Sequence, residues 1–317
     1  MKVKVYIFAT VLFLQIGCEE NPHMVVGSPS FPVVYAIFDR YSEINEVYVT
    51  RSFSGIEGPL NTAQNFDSVY FENVTAQITL LGAKGLFDTI LTQQVNHDRN
   101  PGNLCFPHYK VLTLNRDIED CDYCTIKVYI PGHDTLIYGI DLLKKPNFIY
   151  PKLPGTQMTM LPDQPLFITW NTYIWNDVSI SFEIISVFES GIDTTLMTYK
   201  RIGINNDNSS ENSFKIHYER FQYLCEHFLT NDTELDYRII GDIDIEISIS
   251  DGTFRSYMEQ MLHEQDYMTF HESTDGIVKG VVTSKATDSL NGLRFDLQTK
   301  EFIYYDPDMA KYKFSRW

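Results

Sequence analysis

Four residues in the first half of the chain have the types and spacing of a small metal site. Two residues separate Cys105 from His108, and two residues separate Cys121 from Cys124. Tetrahedral zinc accepts cysteine and histidine donors at this spacing. An exported chain would instead meet oxidising conditions, in which thiols pair. We therefore expect a disulfide from Cys105 to Cys121 or Cys124, with zinc as the alternative and no cofactor.

Patterns for catalysis are absent from the remaining sequence. It contains no G-x-S-x-G, H-E-x-x-H, P-loop or G-x-G-x-x-G motif. The pairs His263-Glu264 and His271-Glu272 lack the second histidine of a zinc protease. We therefore expect a protein that is not an enzyme. The alternative is a catalytic cleft that the fold assembles from scattered residues, with His263 or His271 among them.

A fifth cysteine, Cys18, follows an apolar run at the N-terminus. A short basic start precedes this run, which covers residues 5–16. About a dozen apolar residues are too few to cross a bilayer, which needs roughly 20. The pattern predicts a signal peptide over residues 1–17.

The residues around Cys18 resemble the lipobox of bacterial lipoproteins. The sequence is Gln15-Ile16-Gly17-Cys18, with glutamine where leucine is usual. Acyl chains on Cys18 would hold the protein at a membrane, since each buried methylene contributes about 0.8 kcal/mol. Glu19 and Glu20 are similar to the acidic surface-export signal of Bacteroidota lipoproteins, and residues 18–30 would form a tether. The alternatives are an ordinary secretory signal and a tether that is merely hydrophilic.

Charge and composition exclude one class of partner. The 317 residues include 25 basic and 42 acidic side chains, which gives a formal charge of −17. Such a field repels nucleic acid, so we expect no nucleic-acid partner. The 20 tyrosines and 21 phenylalanines suit β-sheet surfaces and could also stack on sugars.

Short alternating segments dominate the chain after the tether. The clearest is 124–132, in which Ile126, Val128 and Ile130 face one way while polar residues face the other. Six such segments predict an N-terminal β-sandwich domain over residues 31–145. They are 31–39, 45–53, 74–82, 109–115, 124–132 and 135–143.

Prolines mark the end of this first domain. Five of the thirteen prolines fall between residues 146 and 165, which predicts a Pro-rich linker, followed by a C-terminal β-rich domain over 166–317. The segment "PLFITWN" is similar to an early fibronectin-III strand, with Phe167 or Trp170 entering the core. We expect Trp175, in the following turn, to be exposed.

The second domain also contains helical patterns. Apolar residues recur at helical spacing in 221–229, with Cys225 on the apolar face, and in 250–265, where Asp251 is a candidate N-cap. Segment 241–252 alternates as a strand, and Asn291-Gly292 is a hairpin signal. The fold class is therefore mainly β: two β-sandwich domains, Ig-like or fibronectin-III-like, with one or two short helices in the second.

The layout resembles an uncharacterised family of Bacteroidota surface lipoproteins, domain-of-unknown-function family four-two-four-nine. The resemblance rests on Cys18 with its acidic followers, on "CTIKVYIPGHDTLI", on the "WN" strand, and on "ISISDGTFRSYMEQM" before "GIVKGVVTS". It implies a surface lipoprotein encoded near outer-membrane transport genes. It supplies no catalytic residue.

These observations favour a non-enzymatic lipoprotein of the outer membrane. We expect it to be lipid-anchored and surface-exposed and to act as a binding or assembly module for a protein partner, beside a TonB-dependent transporter. The alternative is a glycan-binding surface lipoprotein. In that case Trp175, Tyr304 and Tyr305 would provide the stacking platforms for sugar rings.

Overall fold

The computed structural model describes residues 31–52, 66–96, 108–171, 173–204, 211–263 and 279–316. The strands of the first half are β1 (Pro32–Asp39), β2 (Ile44–Arg51), β3 (Thr75–Gly82), β4 (Gly85–Thr92), β5 (Gln94–Asn96), β6 (Tyr109–Asn115), β7 (Cys121–Tyr129) and β8 (Leu136–Asp141). Those of the second half are β9 (Phe148–Tyr150), β10 (Gln157–Met158), β11 (Leu166–Asn171), β12 (Trp175–Phe188), β13 (Gly191–Ile204), β14 (Glu211–Ile216), β15 (Leu235–Ser250) and β16 (Lys279–Phe295). The helices are α1 (Phe66–Val69), α2 (Tyr218–Phe228), α3 (Gly252–His263) and α4 (Leu297–Tyr305), followed by a 3₁₀ helix over Ala310–Tyr312.

The strands form three sheets. A nine-stranded sheet has the order β13-β12-β15-β16-β1-β2-β6-β5, with β10 added beside β16. A four-stranded sheet has the order β4-β3-β7-β8, and a three-stranded sheet has the order β14-β11-β9. The prediction of a mainly β fold is confirmed.

The N-terminal hydrophobic core is built by strand alternation. Ile78 and Leu80 of β3 and Ile126 of β7 are fully buried, and they cluster with Phe38 of β1 and Leu112 of β6. The core therefore lies between the four-stranded sheet and one end of the nine-stranded sheet. Side chains at every second position supply it, because successive residues of a strand point to opposite faces.

The C-terminal core is larger and depends most on β15. Ile243, Ile245, Ile247 and Ile249 alternate along this strand and are all fully buried, as the sequence pattern predicts. Burial of each isoleucine stabilises the fold by about 1.5–3 kcal/mol. Trp170 of β11 closes the core from the three-stranded sheet, and its indole nitrogen donates to Asn176 Oδ1 at 2.8 Å.

The Pro-rich segment over 146–165 is part of this second core. It contains β9, which pairs with β11, and β10, which pairs with β16. Met158 and Met160 are buried within the cluster. The prolines therefore interrupt the strands of this segment while its apolar side chains remain packed.

One long strand, β16, joins the two cores. Residues 279–285 pair in parallel with β1, from Val33 opposite Lys279 to Asp39 opposite Lys285. Residues 285–293 pair antiparallel with β15. The first half of β16 thus belongs to the part of the large sheet that covers the N-terminal core. Its second half belongs to the part that covers the C-terminal core.

The hairpin predicted at Asn291-Gly292 is wrong, because both residues lie inside β16. Gly292 has a φ of +73°, and the ladder to β15 shifts register between Ile243 and Ile245. The Gly292 amide donates to Asp244 Oδ1 at 2.9 Å. Glycine therefore accommodates an irregularity within a continuous strand at this position.

The helical predictions hold for α2 and α3. Cys225 of α2 is fully buried, and Asp251 Oδ1 accepts from the Phe254 amide at the start of α3. The expected core stripe of α3 is only half-buried at Phe254 and Tyr257. A further helix, α4, begins after Asp296, which caps it by accepting from the Thr299 amide at 2.8 Å.

The close approach of β1 and β16 can be tested at Gly280, which has a φ of +128°. A Cβ atom there would overlap the backbone carbonyl oxygen of Val34. Gly155 is a matched control, because its φ is +76° and its Cβ would meet nothing within 4 Å. We expect Gly155→Ala to lower the free energy of unfolding by about 1–3 kcal/mol through backbone strain alone. Gly280→Ala should cost a further 1–3 kcal/mol or so, measured by urea denaturation. Equal losses would show that β1 and β16 are not closely packed.

Candidate interaction surfaces

The face of the four-stranded sheet that points away from the core carries apolar side chains. We call this the outer sheet face. Its six exposed apolar members are Leu81, Leu86, Ile90, Tyr123, Tyr129 and Ile137. Leu86 and Ile90, both on β4, are 65% and 71% exposed. These side chains contribute nothing to the core, which the opposite face of the same strands already fills.

Strand register brings the members of the outer sheet face together. The two-residue turn between β3 and β4 places Leu81 beside Leu86, and β7 places Tyr123 on the other side of Leu81. Tyr123 lies over Gly139 of β8, where a Cβ atom would overlap its hydroxyl oxygen. The glycine therefore allows the tyrosine ring to extend across two strands.

Polar residues separate the apolar ones and limit the patch. Thr79 and Asp88 form a cross-strand hydrogen bond at its centre, and the Tyr129 hydroxyl donates to Gln77 Oε1 at 3.2 Å. In the described part of the chain, no strand pairs with the free edge of β4. Apolar and aromatic side chains bordered by polar groups, beside an open strand edge, are typical of protein interaction surfaces.

Sequence reasoning missed β4, which provides two of the six apolar side chains of this face, as many as β7. Glycine and aspartate in the segment "GLFDTI" favour bends, and they obscure its strand pattern. Apolar side chains of β4 lie on both faces of the sheet. Phe87 and Leu91 pack toward the core, while Leu86 and Ile90 point outward. A strand that is apolar on both faces is the signal that could have revealed the surface.

The expectation that Trp175 is exposed and stacks on sugars is wrong. Trp175 begins β12 and is only 5% exposed. Its ring packs edge to face on Phe254 of α3, with centroids 6.3 Å apart, and lies against Gly203. Trp175 is thus covered by α3, which lies much later in the chain. The sequence around Trp175 does not indicate this contact.

Tyr304 and Tyr305 do lie at the surface of α4, 46% and 66% exposed. Their ring centroids are 4.9 Å apart and their planes meet at 83°. The two rings are therefore edge to face and do not form one flat platform.

The cysteine cluster is only partly described, because Cys105 lies outside the described residues. Cys121 and Cys124 lie on β7 and form no disulfide with another described residue. Cys124 is fully buried in the N-terminal core, and this burial raises its pKa to about 12. No group of three metal-binding side chains occurs in the described ranges. The disulfide and the zinc site both stay predictions.

The other predicted site residues fall elsewhere. Cys18, Glu19, Glu20 and His271 lie outside the described residues, and the side chain of His263, at the end of α3, is not described. Across the described ranges, no helix is both long enough and apolar enough to span a bilayer.

The structural role of Trp175 leads to a stability prediction. We expect Trp175→Ala to lower the free energy of unfolding by about 3–5 kcal/mol, because it leaves a cavity under α3. Tyr305→Ala, which removes an exposed ring, should change it by no more than about 0.5 kcal/mol. Urea denaturation measures both. Similar small changes in the two variants would mean that Trp175 is not packed as described.

Comparison with known proteins does not assign the chain to a family. No family model matches the chain, and no curated protein matches it. Among solved structures, it is similar to a DUF4785 family protein of Legionella pneumophila, with 10% sequence identity and a TM-score of 0.18. The match covers 65% of this chain, which spans about half (49%) of the length of that protein. A TM-score this low does not indicate a common fold.

Proposed function

We propose that this protein is a non-enzymatic lipoprotein of the outer membrane that binds a protein partner at the cell surface. The observation that carries the proposal is the outer sheet face, with Leu86 and Ile90 exposed on an edge strand. An apolar side chain left in water on an ordered strand is stabilised when a partner covers it.

The chemistry of this face suits a protein more than a lipid. Asp88 and Thr79 lie at its centre, and a partner would have to match their hydrogen bonds. The free edge of β4 could also pair with a strand of the partner. Tyr123 and Tyr129 are the kind of side chain that often contributes most to binding at protein interfaces.

Anchoring at Cys18 would keep this face close to the membrane. A tether over residues 18–30 can extend no further than about 45 Å, at 3.3–3.6 Å per residue. The partner would then itself lie in or near the outer membrane, and a TonB-dependent transporter is the partner class that the family resemblance suggests. Membership of family four-two-four-nine is part of the same proposal.

We further infer an architecture of two β-sandwich domains of the Ig-like or fibronectin-III-like class. Each hydrophobic core lies between two sheets, and the division between the cores falls near residue 145. In this proposal β16 belongs to both domains.

A glycan-binding role is the alternative function. Of the three aromatic residues predicted to stack on sugars, Tyr304 and Tyr305 are exposed and Trp175 is buried.

The anchor is tested by protease shaving of intact cells that express the wild type or Cys18→Ala. We expect the wild type to be cleaved at the surface and to remain with the membrane, and the variant to leave the membrane because it cannot be acylated. Intact-mass analysis of the wild type reports the acyl chains. A protected wild type that fractionates in the same way as the variant would disprove the lipoprotein proposal.

The outer sheet face is tested with a photo-reactive amino acid at position 127, where Lys127 lies between Gln77 and Ile137. On intact cells we expect crosslinking to one protein of the outer membrane. The double variant Leu86→Lys and Ile90→Lys should reduce this crosslink at least about tenfold, since two apolar contacts are replaced by charges that must be desolvated.

The control for this experiment is Leu153→Lys. Leu153 is 68% exposed and lies outside the outer sheet face. Its substitution should leave the crosslink unchanged. Equal crosslinking in the double variant and the control would exclude this face as the binding surface.

A further inference from the structure

A cavity of about 420 Å³ opens between the C-terminal core and solvent, at the start of α2. It lies where the edge strand β13 of the large sheet approaches β14 of the small sheet. Its lining residues are Tyr199, Lys215, Ile216, His217, Glu219, Arg220 and Tyr223. Its volume falls within the range of small-ligand sites, which is roughly 300–1,000 Å³.

Arg220 lies at the centre of a stack of rings in this cavity. Its Cζ atom is 5.2 Å from the ring centroid of Tyr199 and 5.4 Å from that of Tyr223. Tyr199 stacks in turn on Phe214, with centroids 6.0 Å apart, and Tyr223 on His227, at 6.1 Å. Rings from β13, β14 and α2 therefore fix the position of the guanidinium group.

Arg220, like the exposed Arg116 and Arg201, forms no ion pair with a carboxylate of the described residues. Arg255, Arg294 and Arg316 each form an ion pair with a carboxylate. No carboxylate in the described part of the chain forms an ion pair with Arg220 or Lys215. Lys215 instead lies over the Phe167 ring, 5.5 Å from its centroid.

A guanidinium group presents its N–H groups in a planar fork, and the ring contacts of Arg220 leave this fork without an ion-paired carboxylate in the described residues. Carboxylate matches this geometry, because its two oxygens can accept two parallel hydrogen bonds. Lys215 and His217 add further donors at the cavity wall. The one carboxylate in the lining, Glu219, accepts hydrogen bonds only, so it suits a ligand that also carries hydroxyl donors.

We propose that this cavity binds an acidic sugar, with the carboxylate of a uronic acid on Arg220 and Lys215. A uronic acid combines the required groups: one carboxylate for the cations, and ring hydroxyls for Glu219 and the tyrosine hydroxyls. The site goes beyond the partner-binding function, and it would stand if the outer sheet face bound nothing.

Calorimetric titration of the purified full chain with glucuronate, glucose, acetate and phosphate tests the proposal. We expect glucuronate to bind at least tenfold more tightly than glucose, which lacks the carboxylate, and than acetate or phosphate, which lack the sugar ring. Arg220→Gln should weaken glucuronate binding at least tenfold. Lys152→Gln is the matched control, because it removes one exposed positive charge outside the cavity, and it should leave binding unchanged.

Thermal unfolding of both variants, expected to match the wild type, separates loss of binding from loss of fold. Absence of saturable glucuronate binding would overturn the proposal, as would equal weakening by Arg220→Gln and Lys152→Gln. Acetate or phosphate binding as tightly as glucuronate would overturn the assignment to a sugar. None of these outcomes affects the crosslinking test of the outer sheet face.

Discussion

The pairing of β16 with both β1 and β15 is the constraint on which the rest of the structure depends. The two hydrophobic cores share almost no residues, and Val282 of β16 packs against the N-terminal one while Leu290 and Leu293 lie in the C-terminal one. Without this strand, β1 would have an unpaired edge and β15 would lose a neighbour. This strand therefore joins the N-terminal core, whose four-stranded sheet carries the outer sheet face, to the C-terminal core, which borders the Arg220 cavity.

Local patterns predicted the parts of this fold that depend on local chemistry. The alternation of isoleucine along β15 and the N-cap at Asp251 follow from spacing within a few residues, and both are present. The prediction of a hairpin at Asn291-Gly292 is wrong because the conformation there depends on distant contacts. The dipeptide favours a turn in isolation, but pairing on both sides keeps the chain extended through it, and no local signal reports those partners.

The surfaces were harder to predict than the fold, because exposure depends on distant contacts. Trp175 has the character of a binding aromatic, yet α3 covers it. Arg220 and Tyr223 are unremarkable in the sequence of α2, and they become a site only when β13 brings Tyr199 alongside. In both proposals, binding depends on which aromatic rings the tertiary structure leaves exposed.

The parallel register of β1 with β16 also has a consequence for biogenesis. A chain synthesised from its N-terminus exposes β1 long before β16 emerges, so the edge of β1 stays unpaired while the intervening residues are added. Contacts between distant segments form slowly, and unpaired edges aggregate. The edge of β1 is therefore open to wrong pairing until β16 completes the large sheet.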